Sequence, residues 1–268
     1  MATSNVLAAT LKSLHRPGRP IILTNVYEVL SARAVAALPS CKALATASYA
    51  VARAHGTEDD DKDAKTNIRA VLPIAKVAAE FNKPFTVDIQ DAYGEKLEEV
   101  MTALIQGGVH GVNLEDVNKD TQKFYSQQEA AERIRRTLKV AEKLGIGDFV
   151  VNARCDVLVH GDLLSEVLTR RKAYLAAGAT SVFVWGGSQR GVSRDEVTTM
   201  VKEFDGRLNV SMKLPPDGLN ASQLSEIGVS RISIWPAIQF IATDTYAKEA
   251  EKILTSVLWN IHQKDRLK

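Results

Sequence analysis

Two cysteines in 268 residues, Cys41 and Cys155, leave no material for a disulfide framework, and neither belongs to a Cys-X-X-Cys or Cys/His cluster. A reducing compartment is therefore expected, the cytoplasm. Charge of one sign is also missing: 34 lysines and arginines face 32 aspartates and glutamates, with no basic stripe, which argues against a nucleic-acid partner. No apolar run approaches the roughly 20 residues that cross a bilayer, so no membrane partner is expected. Linkers rich in Gly/Ser or Pro, low-complexity segments and short repeats are absent, and one domain over residues 1–268 is the expectation. No G-X-G-X-X-G follows a strand-like run, which counts against an open nucleotide-binding sheet. The first 27 residues contain no acid, a trait of mitochondrial transit peptides; the favoured reading is a short amphipathic helix, Val6 to Leu14, closing the bottom of a barrel.

What is present is a repeated beat. Eight β-rich runs occur at residues 21–27, 43–49, 85–89, 111–115, 149–154, 181–185, 208–212 and 231–235, and eight is the number of strands in a (β/α)8 barrel. Stretches with apolar residues at three- and four-residue spacing lie between them, at 68–81, 98–105, 130–144, 164–177 and 194–204. Gly107-Gly108, Gly145, Gly178 and Gly228 each stand just ahead of a strand, where left-handed helix caps belong. A final amphipathic helix, Tyr246 to Ile261, should cover the barrel or pack on another subunit.

Charged residues recur where these runs end, in F-T-V-D-I-Q-D (85–91), G-V-N-L-E-D (111–116) and F-V-V-N-A-R-C-D (149–156). A parallel barrel gathers such residues at one mouth. Asp88 sits among Phe85, Val87 and Ile89, where a carboxylate needs a cation or donors; Glu115 is favoured over Asp116, read as a helix-start carboxylate. Arg154 suits a planar carboxylate, with a core ion pair to Asp156 as the plainer reading. Cys155 is read as packed; His55, His110 and His160 lack metal-ligand spacing. Tyr49, Trp185 and Trp235 could wall a pocket or simply pack, and the charge run Glu58–Asp63 reads as a solvated loop or helix start.

With these residues in place the chain resembles the isocitrate lyase and phosphoenolpyruvate mutase superfamily, especially its short mutase-like members. The resemblance rests on N-V-Y-E-V-L-S-A-R (25–33), A-T-A-S-Y-A-V-A (45–52), V-D-I-Q-D-A-Y-G (87–94), G-V-N-L-E-D (111–116), N-A-R-C-D (152–156), A-Y-L-A-A-G-A (173–179) and I-G-V-S-R-I-S (227–233), in that order. It implies a barrel that is oligomeric through exchange of its final helix, a dimer or tetramer, binding Mg2+ (or Mn2+) and a small carboxylate. Matching motifs makes Asp88 the principal metal ligand, with Glu115 and Asp59 as supporting acids. Arg154 would grip substrate, Ala47 and Ser48 would receive its carboxylate through the backbone, and Asn209 matches a polar residue on the seventh strand.

The departures are specific. The family motif reads Asp-X-Asp or Asp-X-Glu before Gly-Tyr-Gly or Gly-Phe-Gly, whereas Gln90 and Ala92 stand here. A neutral amide should weaken Mg2+. The lyases' Lys-X-Cys-Gly-His loop after the fourth strand is replaced by residues 117–126, which hold no cysteine or histidine, leaving Asn118, Lys119 or Lys123 as candidate acid/base groups. The expected function is an Mg2+-dependent lyase or hydrolase cleaving a C–C bond in a small α-keto or α-hydroxy carboxylate through an enolate-like intermediate. The alternatives are P–C chemistry of the phosphonopyruvate or phosphoenolpyruvate type, and a barrel that binds small acids without turnover.

Overall fold

The computed structural model describes residues 2–161, 163–212 and 218–266. Eight strands close into a parallel barrel: β1 (Ile21–Val26), β2 (Leu44–Thr46), β3 (Phe85–Asp88), β4 (Gly111–Glu115), β7 (Val150–Cys155), β8 (Ser181–Val184), β9 (Leu208–Met212) and β10 (Arg231–Ile234), in the spatial order β1-β10-β9-β8-β7-β4-β3-β2. Between β4 and β7 the chain makes a small antiparallel hairpin, β5 (Val117–Asn118) with β6 (Lys123–Phe124). The helices are α1 (Ala2–Ser13), α2 (Val29–Ala36), α3 (Ser48–Ala54), α4 (Ala64–Glu80), α5 (Leu97–Gln106), α6 (Gln127–Lys143), α7 (Leu164–Ala176), α8 (Arg194–Glu203), α9 (Ala221–Ile227) and α10 (Ala237–Arg266).

The expected barrel is thus present, with all eight strands in the expected runs or within one residue of them. Apart from Ile22, which is exposed, the valines, isoleucines and phenylalanines of the barrel strands are buried on both faces, against the helices outside and the lumen within, as parallel sheets require. Gly108, Gly145, Gly178 and Gly228 take positive φ and turn the chain from helix to strand. Helix α1 plugs the lumen from below: Leu11 is fully buried against Ile21, Leu23, Ala43, Ala45 and Val150. Gly111 admits it, since a Cβ there would lie 3.0 Å from a Leu11 methyl and 2.9 Å from Val150.

Above that plug the lumen is polar. Asn152 Nδ2 and Arg231 Nη2 both donate to Asn113 Oδ1, at 2.9 and 3.0 Å, and Ser181 Oγ donates to Asn152 Oδ1 at 2.6 Å. Asn209 belongs to this middle layer, in register with Arg231. One layer higher, toward the strand C-termini, the lumen opens.

Candidate active site

Arg154 stands at the end of β7, directly in register with Glu115 at the end of β4. Its Nη1 donates to Glu115 Oε1 at 2.5 Å, its Nε donates to Asp156 Oδ1 at 2.7 Å, and Asp88 Oδ2 lies 4.0 Å from Nη1. The guanidinium carbon is 4.6 Å from the Trp185 ring centroid and 5.7 Å from that of Phe183. Both the core pair with Asp156 and the strand-end placement are therefore real. Nη2 donates to no protein acceptor among the described residues, so one edge of the fork remains for a ligand.

A cavity of about 110 Å³ opens beside this fork, walled by Asn25, Ala47, Ser48, Tyr49, Asp59, Asp88, Arg154, Trp185, Ser211 and Ser233 among others. It continues into a vestibule of about 380 Å³ to which Gln90, Glu115, Lys119, Asp156 and His160 contribute. The site candidates named from sequence thus meet at one mouth, with exceptions on the hairpin and in the lumen. Asn118 is turned to Tyr125 and Thr121 within the hairpin, and Lys123 is exposed. Asn209 is fully buried in the layer beneath, and Ser211, two residues on and therefore on the same strand face, lines the cavity instead. Tyr49 and Trp185 are pocket walls, and so is Trp235.

Asp59 and Asp88 both reach the cavity floor. Ser48 Oγ donates to Asp59 Oδ2 at 3.0 Å, and Gln90 N–H donates to Asp88 Oδ1 at 3.2 Å. The Gln90 amide is engaged on both sides: Nε2 donates to Asp59 O at 3.0 Å, and Oε1 accepts from Lys62 Nζ at 3.3 Å. Lys62 is the residue that the sequence reading missed. The run Glu58–Asp63 is not uniformly solvated: Glu58, Asp60 and Asp61 are exposed and Asp63 caps α4, but Lys62 is 0% exposed. No signal in a run of five acids and one lysine distinguishes the side chains that turn inward.

Two further networks hold the loops in place. Asp91 accepts from Tyr125 Oη at 2.8 Å and from Tyr93 N–H at 3.0 Å, while Arg133 donates to the Asp91 and Gly94 carbonyls. Asp116 is not a helix-start carboxylate, because a hairpin follows β4 and Ser126 caps α6. Asp116 instead accepts from Tyr174 Oη at 2.7 Å, Arg170 Nη1 at 3.5 Å and Asp156 N–H at 3.0 Å, locking the strand end that presents Arg154. Cys155 is buried on the opposite strand face, His55 and His160 are exposed, and His110 is buried at the foot of β4.

Electrostatically the site is crowded with acid. Burial raises the Glu115 carboxyl well above its ordinary value; Arg154 opposes this, and Asp156, Asp88 and Asp59 add to it. Burial also raises Asp59 and Asp156, with Lys62 and Arg154 respectively pulling back. Burial works against the charge of Arg154, but Asp156, Glu115 and Asp88 outweigh it and hold the guanidinium firmly protonated. Among the described residues no three His, Cys, Asp or Glu side chains are set to hold a metal together. Asp88 with Asp59 fits the looser mode in which one or two carboxylates hold an ion that keeps most of its water.

The sequence profile of the phosphoenolpyruvate phosphomutase family matches residues 11–254, and the chain belongs to that family. A Burkholderia cenocepacia J2315 protein provisionally classed as a phosphonomutase is 32% identical, superposes with a TM-score of 0.82, and is covered over 99% of its length by 93% of this chain. The 2,3-dimethylmalate lyase fold is similar at 23% identity and TM-score 0.79, over 92% of this chain and 86% of that one. Oxaloacetate acetylhydrolase, in complex with its product oxalate, is similar at 22% identity and TM-score 0.77, over 94% and 86%. Among proteins of curated function, none matches this chain.

Proposed function

We propose that this protein cleaves a carbon–carbon bond in a small α-keto or α-hydroxy carboxylate, as a lyase or hydrolase, through an enolate-like intermediate. The observation that carries this reading is Arg154, a buried guanidinium fixed by Glu115 and Asp156, with Nη2 unengaged beside a cavity of about 110 Å³. A rigid fork of N–H donors in a pocket that size suits a planar carboxylate or enolate oxyanion. Because its partners hold it before substrate arrives, little reorganisation remains to be done at the transition state.

The other groups take complementary roles. Ala47 and Ser48 line the same cavity as the fork, and their backbone N–H groups would receive a carboxylate. Asp59, whose carboxyl burial raises, is placed to take or return a proton, with Ser48 orienting it. Lys119, on the β5–β6 hairpin at the vestibule, is the acid/base candidate on the closing side. Tyr49 and Trp185 wall the pocket against water. Mg2+, or Mn2+ in its place, would be held by Asp88 with Asp59 and Glu115 as supporting acids, and when bound it would add Lewis-acid stabilisation of the oxyanion. The exposed apolar residues of α10 support a homo-oligomer.

An NMR screen of oxaloacetate, substituted malates, acylpyruvates and phosphonopyruvate tests the reading. Two carbon fragments from one of the first three classes are expected. The family match also supports P–C chemistry, and consumption of phosphonopyruvate alone would favour it. Oxalate binding with no turnover at all would leave a barrel that only binds small acids.

A further inference from the structure

Behind Gln90, which lines the vestibule, lies a completely buried lysine with no carboxylate within ion-pairing distance among the described residues. Lys62 Nζ lies 3.3 Å from Gln90 Oε1 and 3.2 Å from the Tyr93 hydroxyl, both neutral acceptors, and 5.7 Å from the Tyr93 ring centroid. Its charge is felt by Asp59, Asp88 and Glu115, the acids that face the substrate position. Burying an ammonium among neutral groups is costly unless surrounding negative charge offsets it. Burial lowers the Lys62 pKa, and Asp59, Asp88 and Glu115 pull it back toward the charged form.

Gln90 and Lys62 act in the same direction. Relative to a floor with a carboxylate at position 90 and no buried ammonium, the pair makes the site more positive by about the charge of one divalent cation. Gln90 also uses its carbonyl on the ammonium and its NH2 on Asp59, so both ends of the amide are already engaged within the protein. Lys119 closes the arrangement from above by donating to the Lys62 carbonyl, and its own Nζ lies 5.2 Å from the Tyr93 ring centroid.

We propose that the Lys62 ammonium is the resident cation of this site, supplying positive charge beside Asp88 so that a divalent ion binds weakly and is dispensable for holding the substrate acid. This deepens the reading of the site as one for small carboxylates and rests on it. The substrate class it favours is an acid whose oxyanion is satisfied by one guanidinium and one ammonium.

The test is Mn2+ titration followed by electron paramagnetic resonance, with oxalate calorimetry on the same preparations. Wild-type protein stripped with EDTA should bind oxalate, and should show no saturable Mn2+ site below about 1 mM. Lys62→Met should tighten Mn2+ at least about tenfold, and Lys62→Met with Gln90→Asp should tighten it further than Gln90→Asp alone, whose new carboxylate would pair with the ammonium. A wild-type site that saturates at micromolar Mn2+, oxalate binding that vanishes with EDTA, or Mn2+ affinity unchanged by a folded Lys62→Met would each overturn the assignment. The wild-type measurements decide the matter alone if the variant does not fold. Neither readout requires turnover, so failure to find a substrate would sink the proposed reaction and leave the cation assignment intact.

Discussion

At the scale of single residues, the site depends on what each carboxylate is paired with. Glu115 and Asp156 are paired with Arg154, Asp116 is bonded to Tyr174 and Arg170, and Asp91 to Tyr125, while Asp88 and Asp59 line the cavity, Asp88 with its Oδ2 4.0 Å from Arg154 Nη1. Asp88→Asn should keep the fold, its Oδ1 still accepting from Gln90 N–H, while turnover in the presence of Mg2+ falls by about 100-fold or more, because the carboxylate proposed to hold that ion is lost. Circular dichroism with steady-state rates checks both halves. A folded Asp88→Asn variant that remains active would remove that carboxylate from the chemistry. Sequence placed Asp88, Glu115 and Arg154 at the mouth because a charge at the end of a β-branched run has few other places to go. It could not place Lys62, since whether a lysine in a charged run turns inward depends on Gln90 and Tyr93, distant in the chain.

At the scale of elements, the segment after β3 is the most constrained part of the site. Gln90, Ala92 and Tyr93 all take positive φ, at 52°, 58° and 59°, a conformation that side chains with a Cβ adopt only at a cost. The Asp91 bonds to Tyr125 and Tyr93 hold it there. Tyr125→Phe should lower stability by about 1 to 2 kcal/mol and weaken oxalate binding, since the freed carboxylate lets the Gln90 turn relax. Equal oxalate affinity in the variant would show the turn to be held some other way. The final helix is the opposite case: Ile241, Tyr246, Ile253 and Leu254 are 53%, 80%, 66% and 64% exposed, apolar surface left uncovered among the described residues. Light scattering should report a dimer or larger, and Ile241→Lys with Ile253→Lys should shift it toward monomer; an unchanged mass would place the interface elsewhere. The long helices were legible from their three-and-four spacing, whereas α2, α3, α9 and the β5–β6 hairpin were not, being too short for a period to show.

At the scale of the whole molecule, stability should depend on pH through histidine. His110 is 4% exposed and its Nδ1 accepts from the Phe85 N–H at 3.2 Å, which requires a neutral ring; burial lowers its pKa from 6.5 to about 4. A folded pKa below the unfolded one means that the unfolded chain takes up the proton first. Stability is thus complete above pH 6.5 and falls as pH drops toward 4, by about 3 kcal/mol from this residue. Urea unfolding at pH 7 and pH 5 should show the loss, and His110→Leu should reduce it, His15, whose pKa burial lowers to about 3, contributing the remainder; an equal slope in the variant would assign the loss to other groups. The barrel itself was legible throughout, because eight buried strands with capped helices between them admit few other closures.

The most direct measurement compares wild-type protein and Arg154→Lys side by side in the labelled-acid NMR screen, with circular dichroism on both. If Arg154 grips the acid through its open Nη2 edge, the wild type splits at least one keto or hydroxy acid into two carbon fragments. The lysine variant, folded and equal in charge, does so about 100-fold more slowly or worse. A folded Arg154→Lys protein that cleaves the same acid at the wild-type rate would contradict the assignment of this residue and of the site built around it.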